Sequence, residues 1–277
     1  MQTSRKATLW GVLLGVTLAL ALAAIPARAG NITEEFHKSY PISPDGRISL
    51  KNINGPVTVI AWDKNEVQVD AVKTGDSKEL VDEAIIEINA GSSMIDIRTH
   101  YPEERHNYHA ATVDYTLHVP RNGHLDKIEL VNGKVSIEGV LGGVRASSVN
   151  GEVDARDVAG EMSLQSVNGR VSADVRALSR SLDIGTVNGQ VALKLPSDAS
   201  AEIDASTVHG DISNDFNIPV NHGHFAPGSE LRARLGSGEA RMKLSTVNGE
   251  IEIQKAPDGK PQGKVTNLLP EDKSRFD

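Results

Sequence analysis

The 277-residue chain contains no cysteine. Disulfides, thiolate metal centres, a cysteine nucleophile and a lipid-modified N-terminal cysteine are therefore excluded. Aromatic residues are scarce, at two Trp, four Tyr and four Phe. Trp62 is the only Trp after residue 29, so a stacked aromatic platform for sugars has little basis, and Trp62 reads as a core or edge residue. No G-x-S-x-G elbow, H-E-x-x-H helix or P-loop is present, which removes the commonest hydrolase, metalloprotease and nucleotide-binding templates. Long apolar runs are also few. The single candidate is Trp10 to Ile25, with 16 residues, shorter than the roughly 20 that a bilayer span needs.

That run has the pattern of a secretory leader over residues 1–29. Arg5 and Lys6 precede it, and Ala27-Arg28-Ala29 follows as an A-x-A cleavage signal before Gly30. Arg5-Lys6 is not a twin-arginine pair, so export as an unfolded chain is expected. Cleavage removes three of the 29 basic residues (Arg5, Lys6, Arg28) and none of the 37 acidic ones, leaving 26 against 37, a net charge of −11. That balance opposes general nucleic-acid binding, which needs basic surface to displace counterions. It also opposes loose attachment to anionic lipid. The expected location is exported, periplasmic or at the cell surface, with no transmembrane span left after cleavage.

The dominant signal is an internal repeat. Val131-Asn132-Gly133 recurs as Val149-Asn150-Gly151, Val167-Asn168-Gly169 and Val187-Asn188-Gly189. It continues as Val208-His209-Gly210 and Val247-Asn248-Gly249, with an outlying Ile53-Asn54-Gly55. The steps from Asn132 are 18, 18, 20, 21 and 39 residues. The last is about two repeats, and Gly236-Ser237-Gly238 marks a skipped turn.

The segments around each copy alternate with a period of two: Met162, Leu164 and Ser166 before one turn, Val171, Ala173 and Val175 after it. These are strands with one buried face. Ser148, Ser166, Thr186, Thr207 and Thr246 occupy the inward place nearest each turn, where a hydroxyl satisfies backbone groups. Asn-Gly supplies positive φ for a tight reversal.

Two all-β architectures fit: a β-solenoid with stacked parallel coils, or a meander of antiparallel hairpins. The solenoid is expected. The same residue types recur at the same place, the far ends of the units share no uniform hairpin signal, and Lys134, Glu152 and Arg170 alternate in sign as stacked neighbours would. Residues 31–130 are strand-rich but less regular, with a short helix from Ser77 to about Asp82 capped by Asp76 or Ser77. Residues 214–230 read as a polar loop and 256–277 as a poorly ordered polar tail. No clean boundary divides 30–255, which reads as one β-repeat domain.

On these segments the chain resembles the bacterial putative adhesin family, envelope proteins with β-strand repeats and a domain of unknown function. The resemblance runs from about Ile48 to Lys255. It is carried by Asn54-Gly55-Pro56-Val57-Thr58-Val59 with Ala61-Trp62-Asp63, by Tyr115-Thr116-Leu117-His118-Val119-Pro120 and by the serial Val-Asn-Gly copies. Gly236-Ser237-Gly238 leading to Thr246-Val247-Asn248-Gly249-Glu250-Ile251 is similar to the family's closing coil. The resemblance implies a β-helix-like fold and export, and supplies no catalytic residues. His209 stands where the other turns carry Asn, as tolerated turn chemistry.

No cofactor is expected. His222 and His224 are the weak metal candidates, and His106 and His109 lie near Glu103 and Glu104. A metal site needs three or four converging ligands, so solvated loop histidines are the plainer reading. Asp154, Asp157, Asp174 and Asp183 would serve a glycosidase only as a pair at defined separation across a cleft. The expected function is a non-enzymatic, adhesin-like envelope protein. Its polar ladders, including Lys134, Glu152, Arg170 and Gln190, would face an unidentified envelope protein or glycan. A carbohydrate-active enzyme on the same scaffold and a metal-binding envelope protein are the alternatives.

Overall fold

A computed structural model describes residues 31–102, 110–222 and 228–269. The leader at 1–29, the stretch holding Glu103, Glu104, His106 and His109, His224 and residues 270–277 lie outside the described residues.

The chain begins with β1 (Ile32–Pro41), β2 (Arg47–Asn54), β3 (Val57–Trp62) and β4 (Glu66–Gly75). Helix α1 (Lys78–Glu83) follows, capped by Ser77, whose hydroxyl accepts from the Leu80 amide. Next come β5 (Ile85–Ala90), β6 (Met94–His100), β7 (Thr112–Pro120), β8 (His124–Asn132) and β9 (Val135–Glu138). The central repeat holds β10 (Val144–Asn150), β11 (Val153–Asn168), β12 (Val171–Asn188) and β13 (Val191–Leu195). The remainder is β14 (Ala201–His209), β15 (Ile212–Asn214), β16 (Asn221–His222), β17 (Ser229–Leu235), β18 (Ala240–Asn248), β19 (Ile251–Lys255) and β20 (Val265–Asn267).

The coils are stacked in parallel. Ser166 in β11 pairs with Ser148 in β10 and Thr186 in β12, not with Val171 across its own turn. The expected solenoid is therefore the architecture of the repeat, and the hairpin meander is excluded there. Strands before the turns make one face, ordered β5-β6-β2-β8-β10-β11-β12-β18-β14-β17-β20. Strands after the turns make the other, ordered β1-β4-β7-β3-β9-β11-β12-β13-β19-β15. The long strands β11 and β12 each contribute one half to either face.

The period-two pattern sets what goes inside. Met162, Leu164, Val171, Ala173, Leu182 and Ile184 are all buried between the faces. The two largest fully buried side chains, Tyr115 and Phe216, lie toward opposite ends of the stack. Tyr115 is fixed there by a 2.8 Å hydrogen bond to the Thr99 hydroxyl, and burial pushes its own hydroxyl up to about 12.

At both ends the chain does not stack in the order of its sequence. The coil β2–β3 lies between β6–β7 and β8–β9, both of which come later. At the other end β18–β19 is inserted between β12–β13 and β14–β15. The 39-residue step is thus an excursion and return, and Gly236-Ser237-Gly238 is the turn from β17 into β18, not a missing coil turn. Near-identical turn sequences gave no sign of this exchange. Antiparallel strands finish the stack: β1 on β4 and β5 on β6 at one end, β17 on β14 at the other. Residues 265–267, inside the segment expected as a loose tail, pair with β17.

Candidate functional site

The turns form one continuous corner. The side-chain amide of Asn132 donates to Asn54 Oδ1 at 2.9 Å, Asn150 to Asn132 at 2.9 Å and Asn168 to Asn150 at 3.0 Å. Asn188 donates to Asn168 and Asn248 to Asn188, each at 2.8 Å. His209 ends the row in register with Asn248. The backbone ladder runs on through the turns, as in Gly151 N to Asn168 O at 3.1 Å.

Inside this corner each hydroxyl serves the neighbouring coil. Ser148 donates to Gly133 O, Ser166 to Gly151 O, Thr186 to Gly169 O, Thr246 to Gly189 O and Thr207 to Gly249 O, at 2.9–3.2 Å. The equivalent place in β8 is Leu130, which cannot donate. Asn52 supplies the need from the adjacent coil, donating to Gly55 O at 3.2 Å and Val113 O at 2.8 Å.

Backbone and crowding both call for glycine at the turns: Gly55, Gly133, Gly189, Gly210 and Gly249 have φ between +113° and +159°. A Cβ on Gly169 would lie 2.2 Å from Gly151 O, and Gly151 and Gly169 are not among the glycines of positive φ. None of the turn Asn residues has positive φ; it falls on the glycines, and the turn is a stacked corner rather than a hairpin reversal.

Outside the Asn row stands a second row. Ile53, Val131, Val149, Val167, Val187 and Val247 are each 39–40% exposed, and Val208 is 53% exposed. They lie side by side in the coil order just given, on the outer surface of the face before the turns. Alternation with the buried residue one place earlier (Ser or Thr in five coils, Asn52 and Leu130 in the other two) placed them outward, but their aliphatic character masked this in the sequence. Beside them the outward positions in the middle coils are small or uncharged: Ser147, Gln165, Gly185, Ser245 and Ser206.

On the other side of the corner, Lys134 and Glu152 pair at 3.1 Å, and Gln190 donates to Glu252 at 3.4 Å. The four acidic candidates do not converge. Asp154 accepts from Ser172 at 2.7 Å and pairs with Arg156 at 2.6 Å. Asp157 pairs with Arg176, and Asp174 with Lys194 at 2.7 Å. Asp183 lies on the opposite face, beside Lys243. His222 on β16 contacts the Ser229 hydroxyl at 3.1 Å. Among the described residues no group of three or more His, Asp or Glu is arranged to hold a metal. Trp62 is engaged within the protein: its indole donates to Glu66 O at 2.9 Å, Lys64 lies 4.4 Å from its ring centre and the His118 ring 5.1 Å away.

One cluster had no signal in the sequence. Strands β1, β4 and β7 bring His37, Asp70 and His118 together across gaps of 33 and 48 residues. Asp70 holds His37 Nδ1 at 2.9 Å, accepts from Gln68 at 2.7 Å and lies 3.9 Å from His118 Nδ1. Hydrogen bonds to the Asp70 carboxylate first, and then to Glu35, raise the His37 imidazole above its ordinary value.

The profile of one family, Toastrack DUF4097, matches residues 42–254. The chain belongs to this Toastrack family. The resemblance drawn from its motifs over Ile48 to Lys255 is thereby upheld. No curated protein matches the chain. A putative cell adhesion protein from Clostridium sporogenes is 12% identical, with 81% of this chain and 100% of that one covered at a TM-score of 0.44. A putative adhesin from Bacteroides fragilis is 11% identical, covering 80% and 97% at 0.38. A putative lipid binding protein from Parabacteroides distasonis is 12% identical, covering 83% and 98% at 0.35. Among the described residues no helix is long and apolar enough to cross a membrane.

Proposed function

We propose that this Toastrack protein is an exported, non-enzymatic, adhesin-like envelope protein whose rigid coil stack presents polar side chains at fixed spacing to a protein or envelope component. The observation that carries this reading is the corner. Five consecutive amide-to-amide hydrogen bonds hold the Asn row in register, and the charged row beginning Lys134–Glu152 runs beside it. Side chains about 4.8 Å apart on a stiff frame suit a partner with its own regular spacing, because little order is lost on binding. The leader pattern at residues 1–29 and the net charge of −11 after its removal support export and argue against nucleic acid.

The test places a photo-crosslinking residue at Glu152 or Arg170 in the full chain in its native cells, followed by envelope fractionation. The expected result is a processed chain in the envelope fraction carrying a discrete crosslinked partner. Retention of an intact leader in the cytosol, or turnover of a polysaccharide by the purified protein that is lost in Asp154→Asn, would overturn the proposal.

A further inference from the structure

The row from Ile53 to Val208 is a continuous aliphatic edge, and its seven members follow the coil spacing. We propose that it is the centre of a self-association face, on which a second copy of this chain packs with its coils in reverse order. The two-fold axis runs along the strands, over β11. This inference is separate from the polar corner and does not depend on the partner sought there.

Three features of the face point to a second copy. First, the aliphatic row is uniform along its length, so it opposes itself coil for coil, with Val167 on the axis and Val149 facing Val187. Any other occupant would need the same period. Second, opposite charges meet at three places under this operation. From β6 to β17 there are nine strands, with β11 in the middle. Reversal about β11 sets Arg98 against Glu230 and Asp96 against Arg232. Arg145 meets Asp183 in the same way. Within one chain Arg98 pairs with Asp96 at 2.7 Å, and Arg232 is shared between Asp204 on β14 at 3.0 Å and Glu230 at 3.6 Å, which leaves Glu230 the more weakly held. The two pairs would meet crosswise as a four-charge cluster at each end. Lys127 faces Lys243 and Glu161 faces itself. The first clash is eased by Glu129, 2.8 Å from Lys127, and the second by Arg145, 3.4 Å from Glu161. Third, the area suffices. Nine strands spaced by about 4.8 Å and four outward positions along each give a footprint of about 38 by 20 Å, close to the roughly 800 Å² per partner of a stable interface. The small residues at its middle let two sheets approach closely.

The experiment is sedimentation equilibrium of the purified full chain from about 1 to 200 μM. Two variants accompany it: Val167→Lys, which puts two ammonium groups on the axis, and Arg145→Asp, alone and with Asp183→Arg. Both sites are exposed, and unchanged melting temperatures confirm folding. A reversible dimer is expected, weakened at least ~10-fold by Val167→Lys and by Arg145→Asp, and recovered in the double reversal. A monomer throughout the range overturns the proposal, as does a dimer indifferent to Val167→Lys. A dimer weakened by Arg145→Asp but not restored by Asp183→Arg overturns the reversed register.

Discussion

At the scale of single residues, the corner is a division of labour between an inner hydroxyl and an outer amide. Thr186 is buried and its hydroxyl meets a glycine carbonyl of the next coil, whereas Asn168 is exposed and its amide has water as an alternative. Thr186→Val keeps the shape but strands Gly169 O, and is expected to cost about 1–2 kcal/mol. Asn168→Ala is expected to cost under about 1 kcal/mol, although it removes two hydrogen bonds. Urea denaturation of both variants checks the order, and an equal or reversed ranking would refute it. Near the end of the stack, hydrogen bonds from Ser197 hold the Asp258 carboxyl down to about 2. A depressed acid contributes stability above its unfolded value and loses it as the pH falls through its folded value. The stability difference between the protein and Asp258→Asn should therefore be constant above about pH 4 and shrink toward pH 2. Acid melts of the two read this directly.

At the scale of elements, the determining contact is the stacking of one turn on the next. Gly169→Ala would place a methyl 2.2 Å from a backbone carbonyl that cannot turn away. The two coils must separate locally, so a loss of about 1–3 kcal/mol is expected, the range of an overpacked core. Differential scanning calorimetry would measure it, and a neutral substitution would show that the corner is looser than described. This is also where sequence and structure part company. Alternation and the Val-Asn-Gly period made the strands, the inward hydroxyls and the parallel stacking legible, because each coil repeats the same local physics. Periodicity says nothing about which coil follows which. Asn248 and His209 have similar surroundings, so their exchanged places depended on pairing across tens of residues. The His37–Asp70–His118 cluster was hidden for the same reason. The exposed Val row was legible in principle from its outward phase, but valine is ordinarily a core residue.

At the scale of the whole molecule, the two inserted coils make the ends unlike those of a simple stack. An open stack should fray from its terminal coils, each of which has a neighbour on one side only. Here the first coil in sequence, β2–β3, has a coil on both sides. Its amides should exchange as slowly as those of β11 and β12, while edge strands such as β5 and β15 exchange faster. Hydrogen–deuterium exchange resolved by peptide would show this, and β2 exchanging as fast as β5 would contradict it.

Inserted coils also constrain the order of assembly. A chain emerging from its N-terminus offers β2 and β3 long before residues 94–138 exist to flank them, so the earliest strands must wait with both edges open. The later strands β18 and β19 face the opposite difficulty, since they must enter a gap whose far wall, β14–β15, has been synthesised first. Completing the molecule is less like laying bricks in a column than like closing a clasp.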